Sequence, residues 1–414
     1  MQARAIAGSW LWTGDADAPP IASGAVVFDE RARVVAVGPL AELRSRFASL
    51  HFEPHPAVLM PGLVNAHTHL ELSGLRGAVP GGRGFAAWVD GLMRLRAQRQ
   101  PEQDAEAIDL AVSELLAAGV VAVGEVCNQL NTVAALAAVP IVACVFHEVF
   151  GMSEAVALDK LRAADAERAA YANFPRHVRY AVAPHTPYTL HGSVLQRIVG
   201  DAAARGARTS LHLAEHAAER TLLLSGQGPF ADWLNSRGVS MQGWTAPGQD
   251  AVHYADELGL LGPQLLAVHL TDARPDELAI VAARGCAVVL CPRSNLHIEL
   301  KLPPLLDMLR AGLRPGLGTD SLASNASLDP LAEARALSKR FPTVPAAQLL
   351  AMATSWGAEA LGVGQEVGRL VAGLQPGLLA FEHGAAVPGD PLRFVLDAER
   401  APRHVLMRPL PSAA

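Results

Sequence analysis

Two rhythms of apolar and polar positions divide the chain. Near the amino end, short β-rich pieces, Gly24-Ala25-Val26-Val27-Phe28 and Val34-Val35-Ala36-Val37-Gly38, flank a charged turn at Asp29-Glu30-Arg31, which predicts small paired strands. From about Ala57 the rhythm changes. Apolar runs of strand length alternate with longer Ala- and Leu-rich segments of helical period. The predicted strands are Val58 to Val64, Val120 to Val126, Ile141 to Phe146, Val178 to Ala183, Thr209 to Ala214, Leu265 to Leu270, Ala287 to Cys291 and Leu313 to Gly318. Continuously apolar strands that alternate with helices predict a parallel sheet buried on both faces. Eight such units predict closure into a (β/α)8 barrel, an α/β fold that typically uses about 250 residues.

The surplus length goes to two insertions and the chain ends. Gly74 to Arg99 contains the Gly/Pro-rich Val79-Pro80-Gly81-Gly82-Arg83-Gly84, and Gly226 to Gly259 carries Trp233 and Trp244. Long βα connections stand at the catalytic face of a barrel and can cover a site, or they can be plain surface decoration. After Pro345 one helix is predicted to reach Leu361, and the tail returns to β-like pieces around Leu378 to Phe381 and Phe394 to Leu396. Residues 1–56 and 365–414 are therefore expected to pair into one small β-domain, with the barrel over 57–364.

Composition removes several function classes. Half of the 414 residues are hydrophobic, 18% are charged, and the formal net charge is -6. A large core is affordable, and with no basic stripe a nucleic-acid partner is not expected. The apolar run Val133 to Phe146 is interrupted by Pro140 and is too short to span a bilayer; it reads as a helix end followed by a strand. No signal peptide is evident. Cys127, Cys144, Cys286 and Cys291 are scattered without a C-x-x-C pair, as buried thiols in a reducing cytoplasm would be. A small-molecule substrate is the expected partner, with a homo-oligomer left open.

The sharpest chemical feature is Val64-Asn65-Ala66-His67-Thr68-His69-Leu70. Residues i and i+2 of a strand share a face, so two imidazoles can be aimed at one point as the strand ends. Imidazole is the usual nitrogen ligand of zinc, iron and nickel. His212 with Glu215, His269 and Asp320 end or follow the fifth, sixth and eighth predicted strands. Singly, each has a bland reading: a hydrogen-bonded core histidine, or a helix N-cap for Asp320. Jointly they mark the carboxyl ends of the strands, where barrel enzymes keep their chemistry.

Pro61-Gly62-Leu63-Val64-Asn65-Ala66-His67-Thr68-His69, His212 with Glu215, His269, and Leu317-Gly318-Thr319-Asp320-Ser321 together resemble the amidohydrolase superfamily over nearly the whole chain. The resemblance implies a (β/α)8 barrel with a β-sandwich from both chain ends. It makes His67, His69, His212 and Asp320 metal ligands and Glu215 and His269 catalytic groups that do not bind the metal, Asp320 serving in catalysis as well. Leu378-Leu379-Ala380-Phe381 departs from the Ala-Asp-Leu of many members. Two-metal members bridge their ions with a carboxylated lysine or an acidic residue. Lys160, Lys301 and Lys339 are the only lysines and none ends a predicted strand, while Glu125 is better suited to a loop or helix start. One divalent ion is expected, zinc first and iron as the alternative. A single metal with H-x-x-E resembles the deaminase branch.

Pro184-His185-Thr186-Pro187-Tyr188-Thr189, Ala214-Glu215-His216, Gly228-Pro229-Phe230-Ala231-Asp232-Trp233 and Cys291-Pro292-Arg293-Ser294-Asn295 are similar to adenosine-type deaminases of the superfamily. They resemble most closely those acting on 6-aminodeoxyfutalosine, an intermediate of an alternative menaquinone pathway. That resemblance implies a substrate contact for His185. Arg293 is a candidate for the substrate's benzoate, because guanidinium and carboxylate pair bidentately; the bland reading is a surface salt bridge. Trp88 is a candidate apolar wall, or else helix core. The competing functions are deamination of S-adenosylhomocysteine, methylthioadenosine or guanine, hydrolysis of a cyclic amide or carbamate, and a catalytically silent barrel that only binds.

Overall fold

The computed structural model describes residues 3–410 apart from 172–173, 240, 242–243, 398 and 400. Its strands are β1 (Arg4–Leu11), β2 (Ile21–Ala22), β3 (Gly24–Phe28), β4 (Val34–Pro39), β5 (Phe52–Met60), β6 (Leu63–Thr68), β7 (Val120–Cys127), β8 (Val142–Val149), β9 (Val178–Pro184), β10 (Thr209–Leu213), β11 (Leu265–His269), β12 (Ala287–Leu290), β13 (Gly316–Leu317), β14 (Leu378–Glu382) and β15 (Arg403–Met407). Helices occupy most of the intervals between β6 and β13.

Both chain ends meet in one seven-stranded sheet of order β15-β14-β5-β1-β3-β4, with β2 beside β1. The join is antiparallel, Met60 facing Leu379 and Ala57 facing Glu382. Alternation along these strands feeds two apolar faces. Ile6, Val26, Phe28 and Leu59 pack on one side, and Ala5, Ala7, Val27 and Phe52 on the other.

The middle of the chain forms two four-stranded parallel sheets, β6-β7-β8-β9 and β10-β11-β12-β13. Every residue of β6, β7 and β8 is buried, which is why those runs carry no alternation. The edges of the two sheets are in hydrogen-bond contact at both ends. The His212 N–H donates to the His185 carbonyl at 3.0 Å, and the N–H groups of Thr319 and Asp320 donate to the His67 carbonyl at 2.9 and 3.0 Å. Helix Pro101–Ala117 shows how one connection is built. Pro101 opens it, Ile108, Ala111, Val112 and Leu115 form its buried stripe, and Gly119 at φ +78° ends it. Each such aliphatic side chain contributes roughly 1.5–3 kcal/mol on full burial.

Three predicted elements come out differently. The run Val58 to Val64 is cut at Pro61-Gly62: its first half completes β5 in the terminal sheet and its second half starts β6. A Cβ on Gly62 would collide with Val121 and sit 2.8 Å from the Pro376 carbonyl oxygen. The piece Phe394 to Leu396 lies in a helix, Pro391–Asp397. Asp390 accepts from the N–H groups of Leu392 and Arg393 at 3.1 and 2.9 Å, an N-cap signal that outweighs the apolar run. The returning strand is β15 instead. The helix after Pro345 breaks into Ala346–Met352 and Ser355–Leu361, where the Ala353 carbonyl is taken by the N–H of Val64 at 2.8 Å.

The two insertions touch. The first carries helix Phe85–Arg96 and the second carries helices Pro229–Ser236 and Ala251–Glu257. Trp233 Nε1 donates to Asp90 at 3.3 Å, and Arg237 pairs with the same carboxylate. Among the described residues no helix is long and apolar enough to cross a membrane.

Gly62→Ala should lower the melting temperature, because the forced shift of packed neighbours costs about 1–3 kcal/mol and a chain of this size loses about 2–4 °C per kcal/mol. Gly38, whose added Cβ would meet nothing within 4 Å, is the control, and Gly38→Ala should leave the melting curve in place. Equal melting of the two variants would refute the close-approach account of Gly62.

Candidate metal centre

β6 delivers His67, and His69 follows one residue beyond its end, at the cap of a 3-10 turn, Leu70–Leu75. β10 delivers His212, β11 ends on His269, and Asp320 stands three residues past β13. The donor atoms of His67, His69 and His212 lie within 4.8 Å of one another, as do those of Glu215, His269 and Asp320. His69 Nε2 is 3.3 Å from His212 Nε2 and 3.8 Å from Asp320 Oδ1. The His67 ring stands 4.9 Å from that of His69, 5.0 Å from that of His212 and 5.7 Å from that of His269. The sequence thus placed these residues in one group. Ala214, His269, Leu270 and Asp320 all have positive φ, from 49° to 77°. Such backbone costs roughly 1–3 kcal/mol per residue and tends to gather at functional sites.

The donor chemistry fits a divalent ion. Both ring nitrogens of His67 are buried and meet no hydrogen-bond partner, an arrangement that is costly unless something binds there. Burial, then the charges of the neighbouring histidines, holds His67 well below the ordinary histidine range. Burial likewise pushes His212 and His269 down to about 3. Neutral imidazoles keep the lone pair a metal needs.

A second layer orients these groups. His212 Nδ1 faces the His185 carbonyl at 3.1 Å and Glu148 Oε1 at 3.3 Å, which leaves Nε2 for the centre. Glu148 in turn accepts from Asn128 Nδ2 at 2.9 Å, and Asn128 accepts from Arg96 at 3.2 Å. Burial would raise Glu148, yet His185, His212 and His69 hold its carboxyl below the usual value. Asp320 accepts from Ser294 Oγ and from the Ser321 N–H, both at 2.6 Å. Asn295 Nδ2 donates to His269 Nδ1 at 3.3 Å, so the remaining proton of the neutral ring sits on Nε2, 3.6 Å from Glu215 Oε1. Glu215 is buried. Desolvation first, then the charges of Asp320, Glu219 and Glu299, raises its carboxyl well above the ordinary range. Glu219 fixes that turn by accepting the N–H groups of Ala214 and Glu215 at 3.2 and 2.7 Å.

The remaining candidates are distributed around this centre. His185 lies 5.2 Å from the His212 ring and accepts or donates at Thr189 Oγ1, 2.7 Å away. Trp88 is buried against Phe85 with its indole N–H unpartnered. Arg293 is engaged by buried Glu333, which takes its N–H at 2.8 Å and lies 3.9 Å from its guanidinium. Both oxygens of Glu125 receive the Leu70 N–H, at 3.1 and 3.0 Å, so its carboxylate serves the turn after His69. Lys301 and Lys339 pair with Asp272 and Glu399, and Lys160 stands over the Phe150 ring. Sequence reasoning missed Glu148, Asn128 and Glu219. The one available signal was the polar His147-Glu148 pair straight after the apolar third run.

The amidohydrolase family model matches residues 58–401. An aminodeoxyfutalosine deaminase of Deinococcus radiodurans is 31% identical over 84% of this chain and 83% of its own. A 5-methylthioadenosine/S-adenosylhomocysteine deaminase of Nitratidesulfovibrio vulgaris is 31% identical over 87% of this chain and 79% of its own. The crystal structure of Helicobacter pylori aminofutalosine deaminase in complex with methylthio-coformycin superposes with a TM-score of 0.84 at 25% identity, covering 96% of this chain and 97% of that one.

Elemental analysis of the purified protein should return about one transition-metal equivalent per chain, as a four-ligand mononuclear centre requires. His67→Ala should return close to none and melt earlier, since a ligand bound only to the folded state stabilises it by mass action. Two equivalents, both needed for activity, would overturn the single-ion reading.

Proposed function

Because the chain belongs to the amidohydrolase family and so is a hydrolase acting on carbon–nitrogen bonds, we propose that it removes the 6-amino group of a purine nucleoside, 6-aminodeoxyfutalosine first. The observation that carries this reading is buried Glu215, its carboxyl held above the ordinary range by desolvation, beside His269 and the His67, His69, His212 and Asp320 donor set. Aromatic deamination needs a carboxylic acid that can protonate a ring nitrogen next to an activated water.

His67, His69, His212 and Asp320 would hold one divalent ion, zinc before iron given three imidazoles and one carboxylate. When bound, the ion lowers the pKa of a water from 15.7 towards roughly 7. Asp320, held by Ser294 and the Ser321 N–H, takes the proton of that water. Glu215 donates its proton to the purine ring nitrogen, which makes the neighbouring carbon electrophilic. His269 Nε2–H hydrogen-bonds the attacking oxygen. The proton on Asp320 then moves to the amino group, the carbon–nitrogen bond breaks and ammonia leaves; the ring keeps the water's oxygen as a carbonyl, and the hydroxyl proton returns to Glu215. His185 would contact the nucleoside beside His212. Trp88 belongs to the apolar backing of the first insertion.

The same groups would serve a substrate with a methylthio or homocysteine arm, the kind named for the Nitratidesulfovibrio relative. The 5′ arm therefore separates the two readings. For the architecture, we read the two parallel sheets as one (β/α)8 barrel over 57–364, with a small β-sandwich from 1–56 and 365–414. The hydrogen bonds at His67 and His185 support that closure. Four buried free cysteines support a reducing, cytoplasmic setting.

Glu215→Gln should retain the metal and lose about 10²–10⁴ in kcat, the usual worth of a general acid; near-normal turnover would rule out the proton-donor role. In an ammonia-release assay, kcat/KM should rank 6-aminodeoxyfutalosine above 5-methylthioadenosine, S-adenosylhomocysteine, adenosine and guanine. A first rank for guanine, or no release from any purine, would sink the nucleoside assignment.

A further inference from the structure

Phe150 is an exposed aromatic side chain, 42% accessible, directly beyond the end of β8. Its ring stands 6.5 Å from that of His185, which is itself 5.2 Å from the ring of His212. The segment is held firmly. The Val149 carbonyl takes the His185 N–H at 3.1 Å, the Gly151 N–H donates to the Thr189 carbonyl at 2.7 Å, and the Gly151 carbonyl takes the His191 N–H at 2.9 Å. Phe150 is thus held against the segment that carries His185, with its ring partly exposed.

Lys160 Nζ lies 5.3 Å from the centre of the Phe150 ring. It projects from helix Glu154–Ala170, whose start is capped by Ser153. Of the three lysines, it alone has no carboxylate partner among the described residues. Of the acidic groups on the same helix, Asp159 pairs with Arg162, and Glu154 accepts from Ser193 at 2.7 Å. Arg293 faces buried Glu333 across 3.9 Å, and its Nη1 makes no hydrogen bond, so it is the rival cation that the test must separate from Lys160.

We propose that Phe150 and Lys160 form a subsite at the mouth for an aromatic carboxylate on the substrate's 5′ arm, with the arm's ring against Phe150 and its carboxylate on Lys160 Nζ. The subsite rests on the nucleoside reading above and specifies it. The purine occupies the ligand cluster, the sugar passes His185, and the arm leaves over Phe150. Selectivity against methylthio and homocysteine arms follows, because neither presents an aromatic face with a terminal anion. The charge is supplied by a lysine held in place by a ring, so the pair discriminates while leaving the reacting atoms untouched.

The test compares wild type, Lys160→Met, Phe150→Ala and Arg293→Met on 6-aminodeoxyfutalosine, its carboxamide analogue and 5′-deoxyadenosine. Lys160→Met should raise KM about fivefold for the carboxylated substrate alone, the upper range for a partly exposed ion pair, with kcat unchanged. Phe150→Ala should raise KM up to about tenfold for both substrates with the aromatic arm, as loss of an aromatic pair would, and spare 5′-deoxyadenosine. Equal effects on all three substrates, no effect on any, or a carboxylate-selective loss confined to Arg293→Met would overturn the subsite. If wild type turns over none of the three, the nucleoside reading fails. Calorimetric titration with benzoate then decides the subsite alone: weaker binding by Lys160→Met supports it, and absent or equal binding overturns it.

Discussion

The carbonyl oxygen of His67 accepts two backbone N–H groups, those of Thr319 and Asp320, and the rest of the centre depends on that junction. It ties the first parallel strand to the last across some 250 residues of chain. One ligand supplies the acceptor and another one of the donors, so the spacing between them is set by the backbone. The approach is close enough that a Cβ on Gly318 would stand 2.6 Å from that of His67. Asn65 locks the same place by bonding the N–H and hydroxyl of Thr319 at 3.1 and 2.8 Å. Asp320 then adopts φ 56°, which turns its carboxylate towards His69 at a local conformational cost. The packed strands beneath it offset that cost.

Electrostatics follows from the same burial. Three imidazoles and a glutamic acid are kept in water-poor surroundings, where the neutral form is favoured for both kinds of group. One environment therefore favours neutral bases and a neutral acid side by side. The outer ring of contacts, from Arg96 through Asn128 and Glu148 to His212, carries this order into the helix of the first insertion. That helix also meets the second insertion through Asp90, so both insertions are linked by polar contacts to the histidine cluster.

Much of the centre was legible from the chain alone. His67, His69, His212, His269 and Asp320 were readable because ionisable side chains at the ends of apolar strands are hard to explain without a task. The eight strand positions were readable because burial on both faces leaves an uninterrupted apolar run. What failed to read were features set by distant contacts. Pro61-Gly62 divides one run between two sheets because β5 pairs with β1 and β14 in the terminal sheet. Asp390 turns Phe394 to Leu396 into a helix through a cap four to six residues upstream. Glu148 and Asn128 gain their meaning from His212 and Arg96, which lie far away in sequence. Arg293 was legible as a cation near the end of the seventh strand, but buried Glu333 facing it across 3.9 Å was not.

The pairing of β5 with β14 has a consequence for how the chain is made. During vectorial synthesis β5 is complete after residue 60, yet its neighbour on one side, Leu378–Glu382, comes out more than three hundred residues later. For most of translation that edge has unpaired N–H and C=O groups and an apolar flank, the kind of edge that recruits foreign strands. The ligand cluster waits likewise for residue 320. Long-range closure of this sort slows folding and prolongs exposure. The nascent protein therefore relies on being shielded until its last hundred residues arrive, and fragments truncated before β14 keep an open, adhesive sheet.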